Sequence, residues 1–311
     1  MAKALSRWYN TLVAKKILIT GVVSLLGSAL TRVFRPNHTV IATFHKSAPT
    51  HLSEQSTIPL DITNAQMVTE LVKKIAPDVI IHLAATSNLE YCETHPQAAR
   101  LLNVMGTEHV ATAAELTQAH LVFLSSSMVF SGTNAPYIET AIPQPVNVYG
   151  QTKYEAEQLI TQKLTKFTII RAASLLGWQL KTARTNDLTY YLPLLQQSKP
   201  ISLVNDRFFN PLSAITAAQA IRKIIEQEKF GTYHLGGLDR VTRYSLVKTI
   251  AEVFRIKQTN LLPVPSSFFP NLAPRPTDSM LTTLKMETKL GIYAPTIKAE
   301  LLKLFQEAKT S

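Results

Sequence analysis

KILITGVVSLLGSALTRVF, residues 16–34, decides the fold. KILIT (16–20) is a short apolar run of the kind that forms a fully buried strand, and SLLGSALTRVF (24–34) carries helical spacing. TGVVSLLG (20–27) joins them. Gly21 permits a tight turn, Gly27 lets a helix lie close on a sheet, and the N–H groups around Ser24 and Leu26 open towards a pyrophosphate. Strand, glycine turn and helix in that order form the context in which such a turn binds a dinucleotide.

The same rhythm runs outward from this unit. TVIATF (39–44), STIPLD (56–61), DVIIHLAA (78–85), HLVFLSSS (120–127) and FTIIRAA (167–173) read as further strands. NAQMVTELVKKI (64–75) reads as an amphipathic helix with Met67, Leu71 and Ile75 on one face, and a long helix is expected from about Pro96 to Gln118. Strands alternating with helices predict an α/β protein, a Rossmann-type doubly wound parallel sheet with ligands beyond the carboxyl ends of its strands. After Gly177 the elements shorten and prolines accumulate, so a smaller C-terminal substrate-binding lobe is expected. The division is an N-terminal extension (1–15), an NAD(P)-binding domain (16–176) and a region that is mainly lobe (177–311).

With 311 residues, 46% of them hydrophobic, the chain is long enough for one large domain or a domain with an appended lobe. Cys92 is the single cysteine, which excludes an internal disulfide and suits a reducing, cytoplasmic setting. No apolar run reaches transmembrane length. The net charge of +11 is uneven: residues 1–53 hold seven basic residues and no acidic one. No nucleic-acid motif accompanies them, so a phosphate-rich small molecule is the simpler partner. Within 1–16, Leu5, Trp8, Leu12 and Val13 fall on a helical stripe, read as a short helix packed on the domain. The eight histidines are scattered and no metal site is expected; Cys92 and His95, as Cys-x-x-His, read as packing.

Two ends of the chemistry are legible. The second strand runs into His45 and Lys46, where an NAD site usually carries an acidic residue for the ribose 2′-OH. Cations there suit a 2′-phosphate, so NADPH is expected, with NADH as the alternative. Asp61 and Ile62 follow the third strand, where a carboxylate suits an adenine amino group. Ala84 and Ala85 leave room for cofactor beside the fourth. At the other end, PVNVYGQTK (145–153) puts Tyr149 and Lys153 on one face of a helix capped by Asn147. An adjacent ammonium lowers a phenol pKa from about 10, so Tyr149 can exchange a proton with a substrate oxygen. Ser126, at the end of HLVFLSSS, can steady that oxygen.

SSSMVFSG (125–132), PYIET (136–140), PVNVYGQTK (145–153), RAASLLGW (171–178), VNDRFFNPL (204–212), GTYHLGG (231–237) and APRPTDSMLTTLKMETKLGI (273–292) together resemble the extended short-chain dehydrogenase/reductases. The nearest branch is that of dTDP-4-dehydrorhamnose reductase, and the likeness runs from about residue 16 to residue 305. It implies a catalytic triad of Ser126, Tyr149 and Lys153. It places Tyr149, Lys153 and Asn103 in the cofactor set as well, and Arg275 near the sugar nucleotide. Ser127, Met128, Arg171 and Trp178 complete the expected substrate contacts. Ser24 stands where the family has its middle glycine, Ser127 and Met128 where it has aspartate and tyrosine, and Asn210-Pro211 where it has Pro-Thr.

The resemblance implies an NADPH-dependent reductase of a 4-keto-6-deoxy sugar nucleotide, compatible with a homodimer. The same fold also resembles the NADP-binding regulatory subunit of methionine adenosyltransferase, which acts on a partner enzyme. A sugar-nucleotide epimerase or dehydratase that retains its cofactor is the remaining alternative.

Overall fold

The computed structural model describes residues 13–46, 57–178, 185–197, 199–257 and 260–310. The stripe expected within residues 1–16 lies almost wholly outside them. Strand β1 (Lys16–Thr20), helix α1 (Leu25–Phe34), β2 (Thr39–Phe44), β3 (Thr57–Pro59), α2 (Ala65–Ile75) and β4 (Val79–His82) come first. Helices α3 (Leu89–Thr94), α4 (Pro96–Arg100) and α5 (Gly106–Thr117) lead to β5 (His120–Ser126). Then follow α6 (Val148–Lys163) and β6 (Phe167–Ala172).

The C-terminal part holds β7 (Leu175–Leu176), α7 (Asp187–Leu195), β8 (Ile201–Val204), β9 (Phe208–Phe209) and β10 (Leu212–Ser213). After these come α8 (Ala214–Glu226), β11 (Gly231–Leu235), β12 (Val241–Thr242), α9 (Arg243–Val253) and β13 (Leu261–Val264). The described chain ends with α10 (Leu284–Leu290) and α11 (Ile297–Thr310).

Seven strands form one sheet in the order β11-β6-β5-β4-β1-β2-β3, every pair parallel. Chain order reverses between β1 and β4, and there the carboxyl ends open a crevice. Burial explains why these runs are strands. Ile17 and Ile19 enter a core with α1 and α8, while Leu18 between them enters a second core with α2, α5 and α6. Alternate side chains therefore serve opposite faces, both covered by helices.

Three expectations are corrected here. On α2 the buried stripe is Val68, Val72 and Ile75, whereas Met67 is 41% exposed. The helix foreseen from Pro96 to Gln118 contains one π turn, Leu101–Met105. A single cut at residue 177 also leaves out a return of the chain. β11 is the seventh strand of the main sheet, and α8 packs on α1 in the main core. Met286 and Leu290 of α10 join that main core too, while α7, α9 and α11 share a separate one built on Leu176, Leu188, Leu203, Leu246, Ile250 and Leu301. No helix among the described residues is long and apolar enough to cross a membrane.

Candidate active site

The dinucleotide turn is built by close approach. Gly21 has φ +71°, and a Cβ there would lie 2.8 Å from the Ala84 backbone. A Cβ on Gly27 would lie 2.5 Å from the Val22 carbonyl oxygen. Ser24 is the N-cap of α1: its hydroxyl accepts from Gly27 N at 3.1 Å and donates to the Gly21 carbonyl at 3.0 Å. The side chain that replaces the family's middle glycine is thus folded back onto its own turn. The Leu26 side chain is buried in the core, so the residue offers the crevice only its backbone.

At the adenine end His45 and Lys46 are both exposed. Asp61 Oδ1 accepts from Thr63 N at 2.9 Å and from the Thr63 hydroxyl at 2.7 Å, and these two bonds hold its carboxyl below the usual range. Its Oδ2 faces His45 Nε2 at 3.8 Å. The Ile62 side chain is buried beneath Gly106. Ala84 and Ala85 are half-buried behind the turn.

At the chemical end Asn147 caps α6, accepting from Gly150 N at 2.7 Å, and its amide donates to the Pro274 carbonyl at 2.9 Å. Glu93 on α3 accepts from Val148 N at 2.7 Å. The start of α6 is so tight on the turn Ser127–Val129 that a Cβ on Gly150 would collide with the Met128 carbonyl oxygen. The half-buried residues Ser126, Met128 and Tyr149 are brought to one end of β5 in this way. Ser126 Oγ accepts from Met128 N at 3.2 Å, which leaves the hydroxyl proton to donate.

Lys153 is only 3% exposed, with its ammonium 4.0 Å from the centroid of the Phe123 ring. Desolvation pushes its pKa down to about 7, opposed by the charge of Glu157. Among the described residues no carboxylate lies within ion-pair reach of it; Glu157 is bound to Arg171 instead. A buried lysine with no carboxylate partner among the described residues, together with a glycine turn that side chains would fill, fits a dinucleotide whose ribose offers oxygens to the ammonium.

Four expected contacts take other roles. Arg171 is 6% exposed and forks onto Glu157, Nε at 3.1 Å from both carboxylate oxygens and Nη2 at 2.7 Å from Oε2, so it is committed to the interior rather than to substrate. Trp178 donates its indole N–H to the Leu304 carbonyl at 2.8 Å and packs on Phe254 in the lobe core. Ser127 is 2% exposed, enclosed under the turn. Asn103 is fully buried, and its amide is spent on Thr86 N, Thr86 O and Thr152 Oγ1 at 2.8, 3.0 and 2.9 Å, so it braces the site without facing it.

Arg275 donates to the Ala273 carbonyl at 2.7 Å and pairs with Glu90. It also lies near Arg207 and Arg243: both have lowered pKa values, first from desolvation and then from the Arg275 charge. Arg243 in turn pairs with Asp187. Asn210 staples the lobe, donating to the Gly237 and Leu281 carbonyls, each at 2.9 Å. Sequence reasoning missed Ser125 and Glu157, joined by a 2.5 Å hydrogen bond under the site. The four-residue spacing Tyr149, Lys153, Glu157 was the available signal. Cys92 is fully buried and His95 stacks on Tyr91, so neither meets the crevice as an acid/base pair.

The chain is similar to several known proteins. The methionine adenosyltransferase 2 subunit beta of Mus musculus is 30% identical over 288 residues, 90% of this chain and 83% of that protein. The dTDP-4-dehydrorhamnose reductase of Salmonella typhimurium is 32% identical over 246 residues, 76% of this chain and 81% of its own. The solved dTDP-4-dehydrorhamnose reductase from Bacillus anthracis in complex with NADP superposes with a TM-score of 0.83 at 27% identity, covering 94% of this chain and 98% of that one. Residues 15–310 match the RmlD substrate binding domain family over nearly the whole length, and the chain belongs to that family.

Proposed function

We propose that the protein is an NADPH-dependent reductase of a 4-keto-6-deoxy sugar nucleotide, similar to dTDP-4-dehydrorhamnose reductase. The observation that carries this reading is the buried side chain of Lys153, one turn beyond Tyr149 on α6 and, among the described residues, with no carboxylate in ion-pair reach. Bound NADPH would supply the hydride. Its pyrophosphate would lie on the α1 turn, its 2′-phosphate near His45 and Lys46, and its nicotinamide ribose against Lys153. Tyr149 gives the proton that the reduced oxygen needs, and Ser126 donates a hydrogen bond to that oxygen. A protonated Lys153 beside Tyr149 would stabilise the phenolate that the transfer leaves behind. Arg207, Arg243 and Arg275 form a cationic group suited to the nucleotide diphosphate.

Tyr149→Phe is the direct test. It should cut kcat by at least about a hundredfold, the scale of a lost general acid, with NADPH affinity almost unchanged. Wild-type turnover in this variant would overturn the assignment. The second reading is an NADP-binding regulator of a partner enzyme. It is favoured by the longer alignment with the regulatory subunit, which spans 90% of this chain against 76% for the reductase. It predicts NADPH binding without turnover on any keto-sugar nucleotide.

A further inference from the structure

We propose that His82 is a positioning residue: one buried chain of hydrogen bonds through its ring fixes the catalytic helix α6 against the dinucleotide turn. The kinetic part of this proposal rests on the reductase reading; the structural part does not.

The chain can be followed atom by atom. Leu83 N and Ala84 N both point at Thr20 Oγ1, at 3.3 and 3.4 Å. That hydroxyl therefore has its own proton to give, and His82 Nδ1 lies 2.7 Å away to accept it. Nε2 must then carry the ring proton, and Thr107 Oγ1 receives it at 3.1 Å. Thr107 passes its proton to the Asn103 carbonyl at 2.6 Å. The Asn103 amide donates to Thr152 Oγ1 at 2.9 Å, and Thr152 donates to the Tyr149 carbonyl at 2.8 Å. One end is the residue before Gly21; the other is the backbone of Tyr149 and the neighbour of Lys153.

Every side chain in the chain is buried: Thr20, His82 and Thr152 are 1% exposed, Thr107 and Asn103 are fully enclosed. Breaking one link leaves a buried donor or acceptor unpaired, so the links hold or fail together. The π turn is part of the device, since Asn103 lies within it. A second route reaches the same place. The His82 ring stacks on Phe123 with centroids 5.9 Å apart, and Phe123 is the ring that carries the Lys153 ammonium. Desolvation, then the Lys153 charge, holds the His82 pKa to about 3, so the ring is neutral at working pH and the chain keeps its direction.

The test compares His82→Phe, which removes both arms, with Thr107→Val, which cuts only the α6 arm at nearly constant shape. His82→Gln, which can still donate towards Thr107, is the partial rescue. Ile224→Ala, a cavity in the core on the other face of the sheet, is the control for lost stability. Melting temperature, NADPH affinity, kcat, and amide exchange at residues 148–153 with and without NADPH are measured. NADPH should slow exchange at these residues in the wild type and in Ile224→Ala, but not in His82→Phe or Thr107→Val. The latter two should lose on the order of tenfold to a hundredfold in kcat, the scale of a small misplacement of a reacting group. His82→Gln should recover part of that loss.

Wild-type kcat and wild-type exchange in His82→Phe would overturn the proposal, as would an equal kcat loss in Ile224→Ala. If His82→Phe does not fold, Thr107→Val decides. If the wild type binds NADPH but reduces no sugar nucleotide, the reductase reading fails, and the exchange comparison alone upholds or overturns the chain.

Discussion

Replacing Arg171 by Met should unfold the protein far more readily without touching its crevice. Arg171 and Glu157 are 6% and 3% exposed, and the guanidinium makes three contacts of 2.7–3.1 Å with the carboxylate. Removing it leaves a buried carboxylate with the Ser125 hydroxyl as its remaining donor. An orphaned charge of this kind costs about 3–5 kcal/mol. With a urea m-value of about 3 kcal/mol/M, reasonable for a chain of this size, the unfolding midpoint should fall by about 1–1.7 M.

The double variant Glu157→Leu/Arg171→Met removes both charges and strands the Ser125 hydroxyl and the half-buried Glu139 carbonyl, two neutral groups. It should return to within about 1–2 kcal/mol of wild type. Urea unfolding followed by circular dichroism measures all three proteins. A single variant within about 1 kcal/mol of wild type would refute the reasoning, as would a double variant as unstable as the sum of its singles. A folded double variant with a much raised KM for sugar nucleotide would return Arg171 to the substrate site.

Lys153 gives a pH signature. Its folded pKa of about 7 lies below the unfolded value of 10.5, so the unfolded chain binds more protons between those limits, and stability from this residue rises with pH across them. Lys153→Met should therefore be more stable than wild type at pH 7 and lose that margin by about pH 10; a constant margin in urea unfolding contradicts this. The buried histidines act at the acid side. His82, His234 and His120 have pKa values pushed down by desolvation to about 3, 3 and 4, against 6.5 unfolded. Their contribution is intact above about pH 6.5 and is lost as pH falls. Near pH 5 unfolding takes up about three protons from them, a loss of roughly 4 kcal/mol per pH unit. A flat stability curve between pH 6.5 and 5 would count against their being buried and neutral.

The sheet was legible because its strands are buried on both faces. KILIT and TVIATF have the bounds read from the sequence, since each is a closed apolar run between turn residues. Asn147 could be named as a cap because capping depends on a few neighbouring residues. The π turn was not legible: nothing in LLNVM demands it, and Asn103 is drawn inward by Thr86 and Thr152, distant in sequence. Arg171 was misplaced for a similar reason. It ends a strand at the crevice edge, where a cation reads as a ligand for substrate, but its partner Glu157 comes from the helix across the sheet. The return of β11 was hidden because GTYHLGG is short and pairs with β6, some sixty residues earlier in the chain. Tyr149, Lys153 and Glu157 carried a spacing signal; Thr20, His82, Thr107 and Thr152, which meet only in the fold, carried none.

The central claim is reduction of a keto-sugar nucleotide at Tyr149 with NADPH. The most direct measurement mixes purified protein with dTDP-4-dehydro-L-rhamnose and follows NADPH absorbance, with NADH in parallel. NADPH should be consumed, and faster than NADH. Bound NADPH with no consumption would contradict it and leave the regulatory reading.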